Sequence, residues 1–493
     1  MCGGFWGSGI VIGIDLMRGE KKIFHRLKTT NDFFNASFVY IVANGIGQGT
    51  MLLANIFFTR YMSQNDYGLY SNYYSYVAIL VPFVGLNLYF GLMNAYMDYK
   101  EEIHKLRSSV LMLSFGGLFI TGAVVFAISI TAGLTMPVLC IILALAHAYG
   151  FFLVNFYIQS MNMENRFIAK GVMLAVPNVL QALLAGIAVL ISNTFISRAV
   201  GATAGVLSCG LVAVILILKE AKPVVNFEYW KYVLRISLPA IIGSVSAMIM
   251  QQCDKVMITS LRNAEETAVY SLIYNIGYIL YAVQQATNGA WQAWLYNTMD
   301  GKRYENIKVV QKWYMFFMLV LATGLYMIAP EIVKILSPKS YWHYDYVIPF
   351  IIGSYLMLMY TMNMGVIQYW KRTDVVSAIV AIAAIINIAF NYALIPQFGG
   401  IGAAYTSVFS YLFIFIANTI YVRINGEEYF KLSYYIVNVV IVVLLGVVFH
   451  YTINDILARY VVFALIIAAE TIYIFVKKDE VRSLFGGRIF ENE

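Results

Sequence analysis

The sequence predicts an all-α integral membrane protein of about fourteen transmembrane helices. It further predicts two pseudo-symmetric six-helix lobes around a central cavity, with an additional helix pair at the C-terminal end. Three observations carry this. Hydrophobic residues make up 61% of the 493 and charged residues 12%, with a mean hydropathy of +0.72. A soluble chain carries about 25% charged residues, so this surface belongs in lipid. Apolar runs long enough to cross roughly 30 Å of hydrocarbon recur along the whole chain. Finally, the second half of the sequence echoes the first at a spacing of about 200 residues.

The first six runs cover residues 36–58, 73–95, 109–130, 136–157, 172–191 and 199–218. The next six cover 237–260, 268–290, 313–329, 347–369, 375–395 and 401–422, and a last pair covers 432–450 and 457–476. The charges test this map. Of the 33 lysines and arginines, about 26 fall in alternate loops on one side, from Arg18–Lys28 to Lys477–Arg488. The opposite loops hold Arg60, Arg198, Arg262, Lys334, Lys339 and Arg459, and Lys255 lies inside a run. Miscounting one early helix would scramble the asymmetry. The positive-inside rule therefore places both termini in the cytoplasm. The net charge of +7 is thus a matter of membrane orientation, and nucleic acid is not implied.

This gives the expected organisation. Residues 1–35 form a cytoplasmic tail, 36–218 one lobe, 219–236 a cytoplasmic linker, 237–423 a second lobe, 432–476 the extra pair and 477–493 a final tail. The loops are too short for a nucleotide-binding domain, and no GxxxxGK[ST] phosphate loop occurs. ATP hydrolysis by the chain itself is excluded. The four cysteines form no CxxC pair, and Cys140, Cys209 and Cys253 lie inside apolar runs, where they read as small buried hydrophobes. No cofactor or metal is implied.

The repeat aligns Asn65, Asp66, Gly68, Tyr70, Ser71 and Tyr74 with Glu265, Glu266, Ala268, Tyr270, Ser271 and Tyr274. It also aligns Gly201–Ala204 with Gly402–Tyr405. Six helices per repeat is an even number, so both halves keep one orientation, related by an axis along the membrane normal. Two bundles that rock about a central cleft suit a transporter better than an enzyme.

Charges within a span cost about 2.5–3.5 kcal/mol at the helix centre, so Asp254 and Lys255 are the leading candidates. With Ser244 and Gln251 they make a polar stripe on the seventh span. Two readings stand: a cavity wall that meets a charged substrate or a coupling ion, or an interhelical salt bridge. Asn44, Gln48 and Asn55 share a face of the first span, and Asn275, Tyr278 and Gln285 a face of the eighth. Asn87 with Asn94 and Asn387 with Asn391 form shorter stripes. Side-chain amides can bond a polar cargo, or neighbouring helices at about 0.6 kcal/mol each. Arg60, at the outer end of the first span, suits either an anionic group or the lipid interface. His147 is a possible protonation site or a satisfied core histidine. Gly45 with Gly49 and Gly201 with Gly205 have the GxxxG spacing of close helix contacts. Pro82, Pro177 and Pro349 mark possible kinks.

The run Arg60–Tyr70 resembles the first-loop signature of polysaccharide-type flippases of the multidrug/oligosaccharidyl-lipid/polysaccharide exporter superfamily. Ser237–Pro239, Asp254–Ile258, Ala329–Ile332 and Leu394–Ala404 match further stretches, in order, from about Asn31 to Arg423. The resemblance implies two six-helix lobes in a bacterial inner membrane. It also implies translocation of an undecaprenyl-diphosphate-linked oligosaccharide for surface polysaccharide synthesis (O-antigen, lipopolysaccharide or exopolysaccharide), with H⁺ or Na⁺ as a possible coupling ion. The competing expectation is a drug or metabolite antiporter of the same superfamily, for which Glu470 in the final span is the only further acid.

Overall fold

The computed structural model describes residues 30–131, 137–164 and 166–480. Most of both expected terminal tails lies outside the described residues. Every regular element among them is helical. In chain order these are α1 (Thr30–Tyr61), α2 (Gln64–Val84), α3 (Leu88–Asp98), α4 (Ile103–Thr131), α5 (Val138–Met163), α6 (Phe167–Ile191) and α7 (Phe195–Glu220). They continue as α8 (Phe227–Leu261), α9 (Ala264–Asp300), α10 (Tyr304–Leu336), α11 (Val347–Tyr369), α12 (Thr373–Asn425), α13 (Leu432–Thr452) and α14 (Ile456–Val476). Among the described residues, 10 helices are long and apolar enough to cross a membrane, or 11 with the bent pair α2–α3. α12, at 53 residues, is two helical arms meeting at Gly399. α9 falls outside the ten because Asn275, Gln284, Gln285 and Asn288 interrupt its apolar sequence.

Two compact units divide the chain: residues up to Met62 with Tyr73–Val245, and Ser63–Asn72 with Ser246–Glu493. The division falls inside α8. Residues 219–236, expected as a linker, are the end of α7, a short connection and the first turns of α8.

In the first unit α6 packs against α7, α1 against α6, and α5 against α7. Gly201 and Gly205 make the α6–α7 contact possible. A Cβ on Gly201 would stand 2.3 Å from the Leu184 carbonyl oxygen, and one on Gly205 2.6 Å from Gln181. Gly45 and Gly49 are different. Nothing lies within 4 Å of a Cβ at either, so the close approach expected there is absent. Spacing marks a small-residue face but not what covers it. The expected kink at Pro82 is a break: α2 and α3 meet at 45°, with Leu86 and Asn87 at φ 46° and 53°. The Asn87 amide donates to Ser244 Oγ at 2.9 Å and holds the bend against α8. Pro349 kinks nothing, since it sits in the first turn of α11, where a missing N–H costs little.

In the second unit α11 packs against α12 and α9, and α10 against α9, α13 and α14. The repeat is visible here as chemistry. The Asp66 N–H donates to Ser63 Oγ at 3.0 Å, and the Glu266 N–H donates to Asn263 Oδ1 at 2.8 Å. α2 and α9 thus open with equivalent caps, each worth about 1 kcal/mol. Their starts also touch: a Cβ on Gly68 would lie 1.7 Å from the Ala264 carbonyl oxygen. The break in α12 needs glycine, because Gly399 has φ 62° and ψ −148°. Glu266 accepts from the Gly400 N–H at 2.7 Å, and Arg262 donates to the Ile395 carbonyl at 3.2 Å. An acid at one arm's N-terminus and a base at the other's C-terminus complement both helix dipoles.

Candidate functional site

Asp254 lies in the last third of α8 and is 2% exposed. Burial there leaves no water to solvate a carboxylate, so its partners must come from the fold. Three converge. Tyr270 on α9 donates to Oδ2 at 2.5 Å, Ser407 on the second arm of α12 donates to Oδ2 at 2.6 Å, and Asn391 on the first arm donates to Oδ1 at 2.6 Å. The Asn391 amide also reaches Asn387 Oδ1 at 3.1 Å. Asn391 Oδ1 and Asn387 Nδ2 are buried without a partner. A narrow cleft lined by Tyr274, Tyr278, Phe350, Ser354, Ser407 and Tyr411 adjoins this group.

Lys255, 8% exposed, is also inside the second unit, so neither charge lies on a lipid-facing surface. Its ammonium donates to Gln252 Oε1 at 3.1 Å and sits 4.9 Å from the Tyr274 ring centroid. Neither Lys255 nor Asp254 makes an ion pair among the described residues, so the interhelical salt bridge expected as one alternative is not seen among them. Gln251 is half-buried on the same helix and makes no hydrogen bond among the described residues.

The amide stripes divide. In the second unit Asn275 is exposed and makes no hydrogen bond among the described residues, while Gln285, also exposed, donates to Tyr281 Oη. In the first unit Asn44 and Gln48 are exposed and make none, while Asn55 is half-buried, its carbonyl accepting from Thr59 at 2.8 Å. Arg60 is exposed in the last turn of α1. His147 is fully buried, with Nδ1 3.2 Å from Tyr73 Oη and its ring stacked on Phe151. No acid approaches it, so it reads as a core histidine.

One charged cluster went unrecognised in the sequence. Arg107, 1% exposed, pairs with Glu164 at 2.7 Å and with Glu220; Arg166 spans the same two acids at 3.3 and 2.8 Å. His104 Nδ1 stands 3.3 Å from Glu220. Two guanidinium groups already neutralise the glutamates, so the cluster clamps the ends of α4, α5 and α7 and does not invite a metal. The only signal was charge at span ends, which reads as membrane orientation.

The family model for polysaccharide biosynthesis proteins matches residues 34–295. Among solved structures, the lipid II flippase MurJ in an inward closed conformation superposes with a TM-score of 0.71 at 16% identity, over 90% of this chain and 100% of that one. An inward-facing multidrug resistance MATE family transporter of the MOP superfamily gives 0.56 at 14% identity, over 80% and 98%. The Vibrio cholerae MATE transporter VcmN, as a D35N mutant, gives 0.55 at 13%, over 81% and 98%. At these identities the likeness is one of fold. No curated protein matches the chain.

Proposed function

Because the chain belongs to the polysaccharide biosynthesis protein family, a multi-pass membrane protein with a transporter fold, we propose that it is a flippase for an undecaprenyl-diphosphate-linked oligosaccharide. It works in a bacterial inner membrane with both termini cytoplasmic. Cargo crosses from the inner to the outer leaflet by alternating access of the repeat halves 36–218 and 237–423, and no bond of the cargo is made or broken. H⁺ or Na⁺ at Asp254 supplies the coupling.

The observation that carries this reading is the set of exposed amides Asn44, Gln48 and Asn275, each without a hydrogen-bond partner among the described residues. Lipid gives such groups nothing to bond, whereas sugar hydroxyls shed of water match them. Lys255 and Arg60 are the cations suited to a diphosphate. The test is translocation of a fluorescent undecaprenyl-diphosphate oligosaccharide in proteoliposomes. Replacing Asn44, Gln48 and Asn275 together by Leu should slow it about tenfold or more, at roughly 1 kcal/mol per lost bond. A wild-type rate in that variant refutes the reading. The MATE-like fold supports a second reading, efflux of a drug or metabolite. Drug-stimulated ion flux with no lipid-linked translocation would establish that instead.

A further inference from the structure

The last helix carries an acid that the transport reading does not use. α14 turns Leu457, Leu465 and Phe475 outward, at 76%, 66% and 71% exposure. Its other face lies on α10 and α13. Both ends are pinned by ion pairs, Arg459 with Glu331 at one and Glu480 with Lys312 at 2.8 Å at the other. Between them stands Glu470, six residues before the end of α14 and thus about 9 Å along the helix from it.

The hydrogen bonds of Glu470 account for its proton. Oε1 lies 3.1 Å from Thr323 Oγ1 on α10. The same hydroxyl oxygen lies 3.0 Å from the Leu319 carbonyl, which can only accept. A threonine hydroxyl has one proton. The hydroxyl is placed to donate to either oxygen, and when its proton goes to Leu319 the 3.1 Å contact is a hydrogen bond only if Glu470 carries a proton of its own. Oε2 is buried with no partner. That suits the carbonyl oxygen of an acid and is costly for half of a carboxylate.

No cation compensates the charged form. On α10, Lys312 and Lys334 are each eleven residues from Thr323, about 16 Å along the helix, and Glu331 is about 12 Å away. On α14, Arg459 is about 16 Å away and bound to Glu331, and Lys477 and Lys478 lie about 10–12 Å beyond Glu470, past the helix end. α13 offers only His450, paired with Asp345 at 3.2 Å. Of the tyrosines nearby, Tyr326 bonds the Ile348 carbonyl, and the Tyr473 ring lies tilted against Phe316.

We propose that Glu470 is a proton-binding carboxyl at bilayer depth that docks α14 on Thr323 as a neutral acid, and is therefore a site of covalent modification by lipid-soluble carbodiimides. The chemistry is an addition. The acid O–H adds across one C=N bond, its proton passing to nitrogen and its oxygen bonding the central carbon. The acyl group then migrates from oxygen to nitrogen, leaving a stable N-acylurea. Nothing leaves, so the peptide gains the full mass of the reagent. A carboxylate without a proton does not start this reaction.

The test is peptide mass spectrometry of the full chain in native membranes treated with dicyclohexylcarbodiimide. The expected result is an adduct on Glu470 and loss of that adduct to background in Glu470→Gln. Glu470→Gln keeps a donor for Thr323, so its thermal stability should match the wild type, while Glu470→Leu should lower it. Leu465→Glu, an acid on the lipid-exposed face, reports reagent access. An unlabelled Glu470 beside a labelled residue 465 overturns the proposal. So does a Glu470→Gln chain as unstable as Glu470→Leu.

Discussion

Replacing Asp254 by Asn and by Ala should separate what the carboxylate does for the fold from what its charge does for transport. Alanine removes both oxygens and strands the Tyr270 hydroxyl, the Ser407 hydroxyl and the Asn391 amide in a buried site. Each stranded donor costs about 1–3 kcal/mol. The three share one network and can relax together, so about 3–5 kcal/mol is expected rather than the full sum. Asparagine behaves differently. Its oxygen at the Oδ2 position still accepts from Tyr270 and Ser407, and its NH₂ then faces Asn391. Flipping the Asn391 and Asn387 amides turns the unpartnered Asn391 oxygen toward that NH₂ and gives the unpartnered Asn387 Nδ2 a use. The fold should therefore survive Asp254→Asn within about 1 kcal/mol. The negative charge is gone, so ion-coupled translocation should fall to the uncoupled rate. Detergent-solubilised chains can be heated and scored by fluorescence-detected size exclusion, alongside proteoliposome transport. An Asp254→Asn chain with wild-type coupled transport, or an Asp254→Ala chain with wild-type stability, would refute the reasoning.

Two further changes probe the scaffold. Gly399→Ala forces a side chain into a conformation kept almost entirely to glycine, at about 1–3 kcal/mol, with its Cβ 1.9 Å from Glu266 Oε1; the thermal midpoint should fall, and less in combination with Glu266→Ala than the two single losses added. Arg107→Ala removes the buried guanidinium and leaves Glu164 and Glu220 with Arg166 alone between them; breaking a buried pair costs about 3–5 kcal/mol, and since the glutamates are 15% and 25% exposed and keep one cation, about 2–3 kcal/mol is expected by the same heating assay. Arg107→Lys should fall between, because an ammonium cannot fork to two carboxylates.

Hydropathy made the helices legible, since burying a backbone in lipid demands long apolar runs. It could not show that α2 breaks from α3 at Asn87. That break depends on two left-handed residues and a bond to Ser244, some 157 positions away in sequence. Asp254 stood out because a charge in a span is costly. Asn387 and Asn391 showed as a stripe, but Ser407 gave no signal, since a lone serine in an apolar helix is unremarkable until it meets an acid. The Arg107 cluster stayed hidden for the opposite reason. Charges at span ends are expected everywhere, so only coordinates reveal which of them are buried and paired.

Asp254 and Lys255 are neighbours in sequence, and this invites a salt bridge, yet consecutive residues on a helix point about 100° apart. α8 therefore offers Asp254 to α9 and both arms of α12, and Lys255 to Gln252 and the Tyr274 ring. The separation decides what each can do. Had they paired, the site would be neutral and closed. Instead, three neighbours aim protons at Asp254, whereas Glu470 meets a single hydroxyl whose one proton the Leu319 carbonyl also draws. An anion at bilayer depth with hydrogen bonds but no cation within ion-pair distance is satisfied locally and still unbalanced electrostatically. An ion from solution would relieve that imbalance, which is the physical reason for testing ion dependence at Asp254 first.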